Sequence, residues 1–94
     1  MESIMTTKKC CFFCGAETGL EKHHVFGGPN RNLADRDGLF VYLCYHHHRG
    51  TDGVHGRDGN ESRRRLMQAG QLAWMKHYNK TEDDFRQRYG KSVI

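Results

Sequence analysis

The sequence predicts a small α+β domain, with two short strands in a Cys- and His-rich middle and helices after it. Three observations lead there. The chain has 94 residues, which bounds it at one domain. Leu, Ile, Val and Phe together number 17, or 18%, below the roughly 20% at which composition alone begins to suggest disorder. Seven His and four Cys make up about one residue in nine, and small domains short of apolar residues usually fold around disulfides or a metal.

Several classes are excluded at once. No window approaches 18 consecutive apolar residues, the length that marks a transmembrane helix. Met1–Lys9 lacks the apolar run of a signal peptide, so a reducing cytoplasm is expected and a disulfide framework is not. Four Cys among seven His then read as metal ligands. The net charge of +4 and pI near 9.0 lean towards a polyanionic partner.

The elements follow in order. Residues 1–9 read as a flexible arm, 10–57 as a metal-stapled core and 58–94 as a helical extension packed on it. Nine of the 11 glycines lie between Gly15 and Gly59, and six of the seven histidines between His23 and His55. Leu20–Phe26 is one strand candidate. Leu39–Cys44 is the stronger, being aromatic and β-branched. Between them GGPNRNLADRDG reads as loop chemistry. Tyr45–Arg49 can open a short helix, and Gly50, Gly53 and Gly56 keep it from running on. From Glu61 to Tyr78, Met67, Gln71, Trp74 and Tyr78 share a helical face, with Leu66, Ala69, Ala73 and His77 alongside and Asn60 as N-cap. Thr81 and Asp84 predict a capping box for a last helix that carries Phe85 and Tyr89 and stops at Gly90.

Cys11-Phe12-Phe13-Cys14-Gly15 is a C-x2-C-G knuckle, and Cys44-x2-His47 is its counterpart. Two thiolates two residues apart can grip one ion, and Cys3His is an ordinary closed, tetrahedral zinc set. Cys10 is left over, and spacing leaves His46 and His48 as competitors of His47. His23, His24, His46, His48 and His55 remain outside such a site. Five histidines clustered beside a zinc knuckle point to a second metal or catalytic centre.

The string CFFCG…HHVF…GLFVYLCYHHHRG…GVH resembles the HNH nucleases, the ββα-metal or His-Me finger family, and in particular short phage and prophage HNH proteins. The likeness spans roughly Cys11–His55. It implies a zinc-stapled ββα-metal core. In that family the second residue of an Asp-His or His-His pair is the general base and the first binds the catalytic metal. Colicin-type nuclease domains use His-His in this way. The resemblance thus makes His24 the base and His23 a ligand, places His48 on the terminal His of the pattern, and offers His55 as a further ligand with Asp52 as its competitor. The middle Asn has no counterpart shortly before Leu43-Cys44. Asp37 is the expected substitute that orients the base, Asn30 and Asn32 lying earlier.

Phosphodiester hydrolysis suits these residue types. A His takes a proton from water at neutral pH, and a divalent ion neutralises the phosphate and assists the leaving oxygen. The resemblance implies one catalytic ion, and the donor set leaves Mg2+, Mn2+, Ni2+ and Zn2+ open. Arg31, Arg49, Arg57, Arg63 and Arg64 are the expected phosphate contacts. Arg63–Arg65 would sit near a helix N-terminus, where the dipole disfavours cations. Trp74, Tyr78, Phe85 and Tyr89 read as core rather than base-stacking residues. The expectation is therefore a metal-dependent endonuclease acting on double-stranded or branched DNA, in phage or prophage DNA processing or recombination, as a homodimer or with a phage partner. A non-catalytic zinc module that binds nucleic acid or a protein is the competing class.

Overall fold

The computed structural model describes all 94 residues. In chain order they form β1 (Glu21–His24), α1 (Arg31–Asp37), β2 (Phe40–Leu43), α2 (Tyr45–Arg49), α3 (Asn60–Tyr78) and α4 (Glu82–Tyr89), with a 3-10 turn at Gly28–Asn30 before α1. The α+β class stands as the sequence predicts. No helix is long and apolar enough to cross a membrane.

The two strands pair antiparallel in the register Glu21–Leu43, Lys22–Tyr42, His23–Val41 and His24–Phe40. Strand side chains alternate between faces, so Glu21 and His23 share one side of β1 while Lys22 and His24 share the other. The first knuckle joins this pair directly: Cys11 bridges to Tyr42, and the Phe12 N–H donates to the Tyr42 carbonyl at 2.9 Å.

The segment between the strands departs from the expected loop. It holds α1, which buries Ala34 and Asp37 and ends at Gly38 in the left-handed region (φ 77°), whose N–H donates to Ala34 and Asp35 carbonyls. Proline at the start and glycine past the end carried the signal: Pro29 opens the 3-10 turn and Gly38 closes the helix. Only Leu33 and Ala34 are apolar in RNLADRD, so periodicity was too weak to show it.

The C-terminal helices largely follow expectation. In α3, Leu66, Gly70, Gln71 and Trp74 are buried while His77 faces solvent. Gly59 rather than Asn60 occupies the N-cap, and Asn60 accepts instead from Arg63. The Thr81–Asp84 box is complete, with reciprocal bonds of 3.1 and 2.9 Å.

One core runs through strands and helices. Val41 and Leu43 pack with Val25, Val54 and Leu66, and with the rings of Phe26, Trp74, Phe85 and Tyr89. Phe85 stacks on Tyr89 at 4.6 Å and meets Trp74 edge-on at 5.4 Å. This aromatic cluster offsets part of the shortage of aliphatic residues. The N-terminal segment also differs from a free arm. Ser3 Oγ donates to the Phe40 carbonyl at 2.6 Å, Ile4 N–H donates to the Gly38 carbonyl at 2.9 Å, and Ile4 and Met5 pack on the core. Two apolar side chains and an unpaired strand edge are enough to hold it.

Candidate metal centres

Cys11, Cys14, Cys44 and His47 form the first group. The Gly15 N–H returns to the Cys11 carbonyl at 2.8 Å with Gly15 at φ 79°, closing the turn that brings Cys11 and Cys14 together. Cys44 follows β2 in extended backbone and caps α2, so His47 lies within the first turn of the helix. Cys44 Sγ and His47 Nδ1 are 3.2 Å apart, Cys11 Sγ and His47 Nδ1 3.7 Å, and Cys14 Sγ and Cys44 Sγ 3.8 Å. Ligand atoms on a tetrahedral zinc at about 2.3 Å (S) and 2.0 Å (N) lie roughly 3.5–3.8 Å apart. The donor set thus fits a metal ion such as zinc. All four cysteines are free thiols. Burial raises the Cys11 thiol, but backbone N–H groups of Cys44, Cys14 and Phe13 outweigh it and bring it down to about 7, towards the thiolate a metal needs. The structure chooses His47 over His46 and His48, and leaves Cys10 outside.

His23, His48 and His55 form the second group, with one ligand atom of each within 4.8 Å of the others. Their rings meet at centroid distances of 5.3 Å (His23–His48), 5.1 Å (His23–His55) and 4.8 Å (His48–His55). Three different elements deliver them. His23 comes from β1 and His48 from α2. His55 comes from the glycine-rich loop, docked by its N–H on the His48 carbonyl at 2.9 Å. That loop is coiled so tightly that a Cβ on Gly56 would sit 2.0 Å from the Gly50 oxygen, and one on Gly59 1.9 Å from the Gly53 oxygen. Asp52 turns outward to His46 at 3.2 Å, so His55 is the residue that joins the group.

The electrostatics favour ligation. Burial, then the neighbouring imidazoles, pull His23 down to about 4. Burial also lowers His55, helped by His48, Arg49 and Arg63. A neutral imidazole is the form that binds metal. His48 Nδ1 donates to Glu21 Oε1 at 2.7 Å, and Arg49 Nε forms an ion pair with the same oxygen at 3.1 Å. The bond from His48, followed by the charge of Arg49, holds the Glu21 carboxyl below its usual range. Glu21 escaped the sequence reading, although its place two residues before His23 in a strand already put it on the same face.

His24 lies on the opposite side of β1. Its Nε2 is 3.0 Å from Asp35 Oδ1, with Lys22 Nζ at 3.2 Å from the same oxygen and Arg31 Nε donating to His24 Nδ1 at 3.4 Å. The bond from His24, then Lys22, holds Asp35 below the usual carboxylate range. An ionised carboxylate only accepts, so His24 Nε2 carries the proton. His24 nevertheless lines, with His23, His55, Val54 and Arg63, a cleft of about 220 Å³ beside the triad.

Asp37 is not the partner of His24. Its carboxylate is buried and accepts from Trp74 Nε1 (2.9 Å), Arg88 Nε and Nη2 (2.6 and 2.8 Å) and Tyr89 Oη (2.8 Å), while Tyr78 Oη donates to its carbonyl at 3.0 Å. Once the segment is helical, Asp35 and Asp37 point to different sides. Asp35 meets β1, and Asp37 meets α3 and α4. The sequence reading of a loop there could not separate the two.

The arginines also divide. Arg31 and Arg49 adjoin His24 and the triad. Arg57 is 84% exposed beside Asp58. Arg63 donates from Nη1 to the Val54 and Gly56 carbonyls at 2.7 and 3.3 Å, clamping the loop that carries His55. These carbonyls compensate a cation near a helix N-terminus. Arg64 pairs with Glu61 and Gln68 along α3. Arg63 and Arg64 therefore have partners within the chain.

Comparison with protein-family models, curated proteins and solved structures gave no match for this chain.

Proposed function

We propose that the chain is a metal-dependent endonuclease of the HNH type, acting on double-stranded or branched DNA in phage or prophage DNA processing or recombination. The observation that carries this is the His23, His48 and His55 cluster, separate from the Cys-bearing one and sharing a cleft with His24. A structural staple needs one set of ligands, and this chain brings together two.

In this reading Cys11, Cys14, Cys44 and His47 hold a structural zinc, and His23, His48 and His55 hold a divalent ion. That ion, when bound, supplies charge neutralisation at the phosphate and help for the departing oxygen. His24 acts as general base. With its Nε2 proton directed at Asp35, Nδ1 is the acceptor nitrogen; in the free chain it accepts from Arg31 Nε, and it takes a proton from water once Arg31 turns to a phosphate. Arg31 Nε lies 3.4 Å from that nitrogen, so a phosphate held by Arg31 brings its attacking water to the acceptor side of the ring. Arg49, on the triad side, holds the neighbouring stretch of backbone. Asp35 takes the orienting role in place of Asp37.

The test is cleavage of supercoiled, linear and branched DNA by zinc-loaded protein with added Mg2+, Mn2+ or Ni2+. Wild type is expected to cut only with added ion, and His24→Ala to lose about 10²–10⁴ in rate with its melting temperature kept. Equal cutting by His24→Ala overturns the base assignment. Uptake of a single ion with no cutting of any substrate would leave the chain a zinc module that binds nucleic acid or protein.

A further inference from the structure

From the contacts of β1 with α2, we infer that Glu21 is a positioning residue for the His23–His48–His55 centre, setting how tightly that centre holds a divalent ion; this rests on reading the cluster as an ion site. The geometry is specific. Glu21 and His23 sit two residues apart on one face of β1, so one strand supplies both a ligand and the group that orients another ligand. Glu21 Oε1 takes the Nδ1 proton of His48 at 2.7 Å. The imidazole has one other nitrogen, so Nε2 is the atom His48 can present to an ion. His48 is buried, its side chain 9% exposed, and a flip of the ring would give up this bond. Arg49 Nε, one residue on, holds the same carboxylate oxygen at 3.1 Å and keeps it from turning away.

A carboxylate behind a histidine does two things for a bound cation. It fixes the tautomer and ring orientation before the ion arrives, and it raises the electron density at the ligating nitrogen. Such partners set metal affinity although they never touch the metal. Glu21 is the only carboxylate bonded to a member of this triad, so both effects fall on this one residue. His23 and His55 have no comparable partner, and their neutral state comes from burial and mutual repulsion instead.

The experiment titrates Ni2+ into zinc-loaded wild type, Glu21→Ala and Glu21→Gln by calorimetry, with zinc content and melting temperature measured for each. Wild type is expected to take up a second ion. Glu21→Ala is expected to weaken that step by about 10–100-fold while retaining one zinc. Glu21→Gln should fall between them, because its amide oxygen still accepts from Nδ1 but carries no charge. If Glu21→Ala does not fold, the comparison of Glu21→Gln with wild type decides. Second-site affinity unchanged within about twofold in the folded variants overturns the role of Glu21. A wild type that takes up no second ion overturns the ion site itself, a distinct result.

Discussion

Asp37→Ala tests the assignment of Asp37 to the core rather than to catalysis. The carboxylate is the acceptor for the Trp74 indole N–H and the Tyr89 hydroxyl, both on buried residues, and for two nitrogens of Arg88. Removing it strands the first two donors away from water, at about 1–3 kcal/mol each. Arg88 is 37% exposed, so solvent takes over most of its hydrogen bonding and its share is nearer the about 0–1 kcal/mol of a surface pair. The expected loss is about 2–7 kcal/mol, centred near 4, a large part of the roughly 5–15 kcal/mol that holds a domain together. At about 4–8 °C per kcal/mol for a chain of this size, the central value lowers melting by more than about 10 °C. Asp37→Asn, which keeps one acceptor oxygen, should lose less. Thermal unfolding of the zinc-loaded proteins, followed by circular dichroism, measures this. A variant that melts within about 3 °C of wild type yet no longer cuts DNA would refute the packing argument and return Asp37 to the active site.

Four further outcomes are expected. Chelation, or Cys14→Ser, should unfold the chain outright, because the Cys-bearing site stands in for missing core; unchanged circular dichroism would contradict this. Asp35→Ala should lower kcat more than it raises KM, by less than His24→Ala does, since it removes the partner of Nε2 and leaves the base in place. Arg63→Ala should release the Val54 and Gly56 carbonyls, cost about 1–3 kcal/mol, and weaken the second ion site through His55 without altering zinc content. In acid, His23 takes its proton at about 4 in the folded chain against about 6.5 unfolded. The unfolded state therefore binds the proton first, and stability that is full above pH 6.5 should decline as pH falls towards 4. His23→Gln should have a shallower slope in that window than wild type.

The sequence by itself determined whatever rests on local chemistry. The half-sites Cys11-x2-Cys14 and Cys44-x2-His47 were legible because each is a short-range turn with ligands at fixed spacing, while their meeting, and the choice of His47 over His46 and His48, came from the packing of the first knuckle on β2. The strands around His23 and Val41, the Thr81–Asp84 box and the aromatic face of α3 were legible for the same short-range reason. The α1 helix was not, since its apolar positions are too few to set a period and only Pro29 and Gly38 marked its ends. The tertiary structure alone decided which side chains meet across elements. It selected His55 over Asp52 by docking the glycine loop on α2, and gave His24 to Asp35 while Asp37 went to Trp74, Arg88 and Tyr89. It also turned Arg63 from an expected phosphate contact into a clamp. These outcomes depend on how a strand, a helix and a loop pack, and packing follows from burial summed over the whole chain rather than from the spacing of neighbours along it.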